Sequence, residues 1–135
     1  SGALLDHVAR RGAGSGRWRA VAVERSRSSV ADARHNLADL PVRVVGSSME
    51  RFRAPRADVV VADPSRAGPG RKGVTVIAST RAERVVLVSC DAASAGRDAA
   101  LLEQAGFRFV EATVVDLFPH THHVEVVSRF DRIDP

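Results

Sequence analysis

Val85-Val86-Leu87-Val88-Ser89-Cys90-Asp91-Ala92-Ala93-Ser94-Ala95-Gly96-Arg97 decides how the chain is read. A run of branched apolar residues ending at Ser89 predicts a strand buried on both faces, and the segment after the short turn predicts a helix. The turn then lies at the carboxyl edge of a parallel sheet, where open α/β folds hold ligands and chemistry. Cys90, the single cysteine of the chain, stands on that edge. A cysteine after a strand also reads as a small buried hydrophobe, so the rest of the sequence has to choose between the two.

Outward from this stretch, alternating elements build an α/β pattern. Upstream, Ala3 to Arg10 carries the spacing of a helix face, and Gly12 to Gly16 is a Gly/Ser loop. Trp18 to Val23 reads as a strand ending in Glu24, and Ser26 or Ser28 caps a helix running to about Ala38. Val42 to Val45 is a short strand. Gly46 to Pro55 is a polar connection with Met49 and Phe52 expected as core anchors. Ala57 to Ala62 is a third strand closing on Asp63-Pro64-Ser65-Arg66, and a Gly/Pro-rich loop through Gly73 leads to a short helix around Val74 to Thr80.

Downstream, Gly106 stops the helix that follows Cys90, and Phe107 to Asp116 and Val124 to Phe130 are two more strands. No helix separates these last two, so they should pair antiparallel, whereas the strands that alternate with helices should be parallel. There is no internal repeat and no linker, and the reading is a single catalytic domain over residues 1–135.

With 135 residues the chain is long enough to bury a core. Its 20 Lys+Arg against 16 Asp+Glu, net +4, permit a polyanionic partner without requiring one, because Lys72 is the only lysine and the Arg richness reads equally as coding bias. One cysteine excludes an internal disulfide and a Cys-rich metal site, in keeping with a cytoplasmic setting. No apolar run reaches the length of a membrane span.

Three motifs carry a resemblance. Asp63-Pro64-Ser65-Arg66 resembles Asp-Pro-Pro-Arg. Ser89-Cys90-Asp91-Ala92, followed by Arg97-Asp98, resembles Ser-Cys-Asn-Pro with its downstream Arg-Asp. Asp116-Leu-Phe-Pro-His-Thr-His-His-Val-Glu125 resembles Asp-x-Phe-Pro-x-Thr-x-His-Val-Glu. In this order they resemble the C-terminal catalytic half of the RNA 5-methyluridine methyltransferases, over about Trp18 to Phe130.

The resemblance implies a class I, Rossmann-like methyltransferase sheet, with parallel strands finished by an antiparallel hairpin. It implies S-adenosylmethionine as cofactor and tRNA or 23S ribosomal RNA as partner, with no metal. By position, Cys90 is the nucleophile that adds to the uracil ring and Glu125 the base that resolves the adduct. Glu24 matches the acid that holds the cofactor ribose, Asp63 the acid facing cofactor and substrate, and Arg66 and His123 fall at substrate-binding positions. A helix N-terminus after Cys90, with Arg97 beyond it, would favour the thiolate.

Departures from the family pattern are informative too. Ser65 replaces a proline, and Asp91-Ala92 replaces Asn-Pro, which predicts a less rigid and differently charged turn around Cys90. Ser47 stands where the family has an acid. The family's first strand and Gly-rich turn do not precede Ala3, so an N-terminally truncated domain is expected. Its central sheet edges would then be filled by an upstream segment or a second copy, or would pair directly, and the isolated chain would hold S-adenosylmethionine poorly.

Other readings compete. A cysteine-phosphatase loop resembles Cys-x5-Arg, but six residues separate Cys90 from Arg97. His120 and His122 would share a strand face as metal ligands but lack a third partner at obvious spacing. A structural or RNA-contacting module without catalysis is the non-enzyme alternative.

Overall fold

The computed structural model describes residues 18–116 and 124–133. The chain divides into two compact units, Ser1–Phe52 and Arg53–Pro135.

In the first unit, strand β1 (Ala20–Glu24), helix α1 (Arg27–Asn36) and strand β2 (Val42–Gly46) form a β-α-β arrangement, followed by a single 3-10 turn at Met49–Arg51. The two strands pair in parallel, from Ala20 opposite Val42 to Glu24 opposite Gly46. Ser26 caps α1 as its residue type predicts, its side chain accepting from the Ser29 amide. Arg34 and His35 fall in the last turn, where the helix dipole favours cations. Among the described residues of this unit, Val30 and Leu37 are buried and apolar. Met49 and Phe52, expected as core anchors, are only half-buried.

The second unit holds β3 (Val59–Ala62), α2 (Gly70–Ser79), β4 (Arg84–Ser89), α3 (Ala92–Gln104), β5 (Phe107–Val115) and β6 (Glu125–Arg132). Its sheet runs β3-β4-β6-β5, with β3 parallel to β4 and β6 antiparallel to both β4 and β5. The expected antiparallel pairing of the last two strands is therefore present, and β6 also inserts beside β4. The chain thus has the mixed α/β architecture of parallel strands closed by antiparallel ones. Helix α3 ends at Gly106, whose φ of +87° suits glycine and ends the helix as its position in the sequence implied.

Two elements differ from expectation. Helix α2 starts four residues early, at Gly70, with Pro69 as its N-cap and the Pro69 carbonyl accepting from the Gly73 amide at 3.1 Å. Strand β4 is fully buried on one face only, at Val85, Leu87 and Ser89, while Val86 and Val88 are half-buried. The reason is that the core gathers Val74 and Ile77 of α2 and Leu102 of α3 on the same sheet face as Ala62, Val85, Leu87, Phe107 and Phe130. Val59 and Val61, which alternate onto the other face, are exposed.

Phe107 and Phe130 are fully buried. Phe109 meets Phe130 edge-on at 5.6 Å between ring centroids, and the Arg132 guanidinium lies 4.4 Å from the Phe107 ring centre. Arg132 also donates to the carbonyls of Ala78 and Ala82, tying β6 to the end of α2. Phe130→Ala removes the ring at the centre of this cluster. We expect it to cost about 3–5 kcal/mol, read as a drop in unfolding free energy by urea titration; a loss below 1 kcal/mol would show that the core is arranged otherwise.

The opposite face carries a ladder of charges across three strands. Arg84 Nε donates to Asp131 Oδ1 at 2.9 Å, Arg129 donates to Asp131 Oδ2 at 3.1 Å, and Arg129 Nη1 reaches Glu111 at 2.8 Å. Hydrogen bonds from Arg84 and then Arg129 hold the Asp131 carboxyl down from 3.8 to about 2. Its depressed value means that the ladder contributes stability above pH 3.8, and that this is lost as pH falls from there through about 2. Asp131→Asn should therefore lower Tm at pH 7 and much less at pH 2. An equal loss at both values would trace the effect to packing.

Candidate active site

The parallel register aligns Ala62 of β3 with Leu87 of β4, so both strands end at the same edge of the sheet. Asp63 is the first residue beyond β3, and Cys90 the first beyond β4. In the antiparallel pair of β4 and β6, Ser89 faces Val126. One further step of that register sets Cys90 opposite Glu125, the first residue of β6. The second unit thus brings Asp63, Cys90 and Glu125 to one sheet edge, from three motifs far apart in sequence. Cys90 is a free, half-buried thiol, Glu125 is half-buried, and Asp63 and Arg66 are exposed.

The turn after Cys90 is held by its own side chains. Asp91 is the N-cap of α3, and its Oδ1 accepts from the Ser94 amide at 2.7 Å. Ser94 Oγ in turn donates to the Asp91 carbonyl at 3.1 Å. Aspartate caps helices as well as asparagine does, and it adds a negative charge to the turn. The backbone amide of Ser94, then its side chain, lower the Asp91 pKa, with smaller contributions from the Ala93 amide and the charge of Arg66. An anion thus stands beside the thiol, and the cation of the first motif acts on it.

Arg97 is engaged by its neighbour and by the loop after β3. Its Nη2 donates to both carboxylate oxygens of Asp98 at 2.8 Å and to the Ala67 carbonyl at 2.6 Å. Its charge is therefore matched by Asp98. Asp98 itself was not read as a functional residue in the sequence. The only signal for it was the Arg-Asp pair of the second motif.

Glu24 lies in the first unit, half-buried at the end of β1. Its Oε1 accepts from the Ser26 amide at 2.8 Å, and its carbonyl accepts from the Ser47 amide at 3.0 Å. Ser47 is half-buried and turns its hydroxyl onto the Ser48 carbonyl. His123 lies outside the described residues, as do His120 and His122. Among the described residues no group of three or more His, Cys, Asp or Glu could hold a metal ion, and no helix is long and apolar enough to cross a membrane.

No protein-family model matches the chain. Similarity to individual proteins is extensive. An uncharacterized RNA methyltransferase of Streptomyces coelicolor is 40% identical over 133 residues, covering 95% of this chain and 28% of the relative. Another from Bifidobacterium longum is 36% identical over 125 residues, covering 86% of this chain and 29% of the relative. The chain spans less than a third of the length of these relatives.

Among solved structures, the tRNA (uracil-54, C5)-methyltransferase of Pyrococcus abyssi, in complex with S-adenosyl-L-homocysteine, superposes with a TM-score of 0.79 at 26% identity, covering 92% of this chain and 30% of that one. A methyltransferase fold from Thermoplasma acidophilum superposes at 0.77 with 18% identity, covering 98% and 64%. Along nearly its whole length the chain is similar in sequence to one part of longer RNA methyltransferases, and it has the class I methyltransferase fold.

Proposed function

We propose that this domain serves a protein that moves a methyl group from S-adenosylmethionine to carbon 5 of a uridine in tRNA or ribosomal RNA, with Cys90 as nucleophile and Glu125 as base. The observation that carries the reading is the pairing of β4 with β6, in which Ser89, the residue before Cys90, faces Val126, the residue after Glu125. The activity named for the Pyrococcus abyssi neighbour supports it.

The residues suit the cofactor. An acid at the end of β1 fits recognition of ribose hydroxyls, and the Glu24 carboxylate, steadied by the Ser26 amide, has acceptor capacity for them. Asp63 at the end of β3 is the second acid and would face cofactor and substrate. When bound, S-adenosylmethionine supplies an electrophilic methyl on its sulfonium.

The chain's own residues account for the rest. Carbon 5 of uracil is too weak a nucleophile by itself. Addition of the Cys90 thiolate at carbon 6 forms an S–C bond and pushes the ring π electrons onto carbon 5 and the carbon 4 oxygen. Carbon 5 then takes up the methyl group and carries both it and a proton. Glu125 removes that proton, the carbon 5–carbon 6 double bond returns, and the S–C bond breaks to free Cys90 as thiolate. Arg66 and His123 would engage the RNA, whose target base has to leave its stack to reach the sheet edge.

Nucleoside mass spectrometry of tRNA and ribosomal RNA incubated with the intact protein and S-adenosylmethionine tests the reading. The expected product is 5-methyluridine; methylation confined to another base, or to a protein, would overturn it.

A further inference from the structure

Asp98 is 1% exposed, and no step of the reaction just described uses it. It lies on α3, the helix that begins two residues after Cys90. Its Oδ1 accepts from Arg97 Nε at 3.0 Å, from Arg97 Nη2 at 2.8 Å and from the Gly70 amide at 3.2 Å, while Oδ2 accepts from Arg97 Nη2 at 2.8 Å. The same Arg97 Nη2 donates to the Ala67 carbonyl.

Ala67 and Gly70 flank Gly68 in the loop that begins at the Asp63-Pro64-Ser65-Arg66 motif. Gly68 has a φ of +68° and donates its amide to the Ser65 carbonyl at 2.8 Å. A Cβ at Gly68 would collide with Asp98 Oδ2 and come within 2.8 Å of Arg97 Nη2. The loop backbone is therefore gripped on both sides of a glycine by one ion pair, and that pair is carried by the helix leading away from the cysteine. Asp63 and Arg66, at the start of the loop, are exposed.

We propose that Asp98, Arg97 and Gly68 form a latch that positions the Asp63–Arg66 segment relative to Cys90, with Asp98 as its positioning residue. The proposal rests on the reading of Asp63, Arg66 and Cys90 as one active site. A buried ion pair is by itself a weak device for stability. Here its hydrogen bonds go to main-chain atoms of the loop bearing the first motif, which a hydrophobic replacement could not hold. Misplacement of a reacting group by about 1 Å costs on the order of 100-fold in rate, so a modest shift of this loop would be visible in turnover.

Asp98→Asn keeps the side-chain shape and an acceptor for Gly70 but removes the anion that Arg97 grips. Gly68→Ala forces the loop off the carboxylate, and Arg97→Gln releases the Ala67 carbonyl from a half-exposed position. In the intact protein each should lower kcat for methyl transfer roughly 10- to 100-fold with RNA affinity within about twofold. Asp98→Asn combined with Gly68→Ala should be little worse than the poorer single variant, because both loosen the same loop.

Hydrogen exchange at the Gly70 amide should quicken in Asp98→Asn, a readout that does not depend on turnover. Variants with lowered Tm but unchanged kcat and unchanged Gly70 exchange would overturn the latch. Wild-type protein that methylates a position other than uridine carbon 5 would overturn the functional reading, while the exchange measurement still decides the latch.

Discussion

Cys90→Ser should form no covalent complex with 5-fluorouridine RNA in the presence of S-adenosylmethionine, whereas the wild-type protein should be trapped. Fluorine at carbon 5 cannot be removed as a proton is, so the wild-type adduct cannot be resolved and survives denaturing electrophoresis. Serine is isosteric, but at neutral pH its hydroxyl has almost no anionic form, and no partner in the described structure stands ready to activate it. Loss of a nucleophile of this kind removes at least ~10³-fold in kcat. Cys90 is half-buried at the end of β4 and belongs to no part of the buried core, so the substitution should leave Tm nearly unchanged. A Cys90→Ser protein that still forms the adduct would sink the assignment of the nucleophile.

Glu125→Gln should have a different signature. Thiolate addition and methyl uptake precede the step that needs the base, so this variant should accumulate a methylated covalent complex with ordinary, unfluorinated RNA. Turnover should fall by about 10²- to 10⁴-fold, the usual contribution of a positioned base. Time-resolved mass spectrometry of the protein–RNA species is the measurement. If turnover is lost without any complex, Glu125 instead shapes the start of β6, where it faces Val115 of β5.

Local chemistry made much of this fold legible. Ser26 before α1, Gly106 after α3 and the valine-rich runs of β3 and β4 each carry their signal within a few residues, and the structure follows them. The direction of the last strand pair was readable for the same reason, since too little chain separates them for a parallel crossover. Legibility ended where the deciding contact lies far off in sequence. A run of valines reads alike whether one or both faces are covered, so the one-sided burial of β4 had no local trace. Glycine and proline before α2 looked like breakers, yet Pro69 opens the helix.

The candidate site divides along the same line. Cys90, Glu125, Asp63 and Arg66 were marked by short motifs, and the sheet register brings three of them to one edge. The capping bond of Asp91 to Ser94 became evident only once the helix start was fixed. Asp98 was overlooked because an aspartate in mid-helix ordinarily faces water. Its burial depends on a glycine some thirty residues upstream in the chain, with Asp98 and Gly70 separated by 28 positions.

The place of β6 between β4 and β5 has a bearing on the order in which the second unit can form. Arg84 and Asp131, neighbours across β4 and β6, are 47 residues apart, and β6 is made after β3, β4 and β5. While the chain is being synthesised, β3 and β4 can associate early, but β5 has no strand to join until Arg132 has followed it. Long-range closure of this kind slows folding, and it leaves strand edges exposed in the nascent chain. The edge that gathers Cys90 and Glu125 is thus completed only when β6 docks, so a partly synthesised domain holds the thiol without the carboxylate.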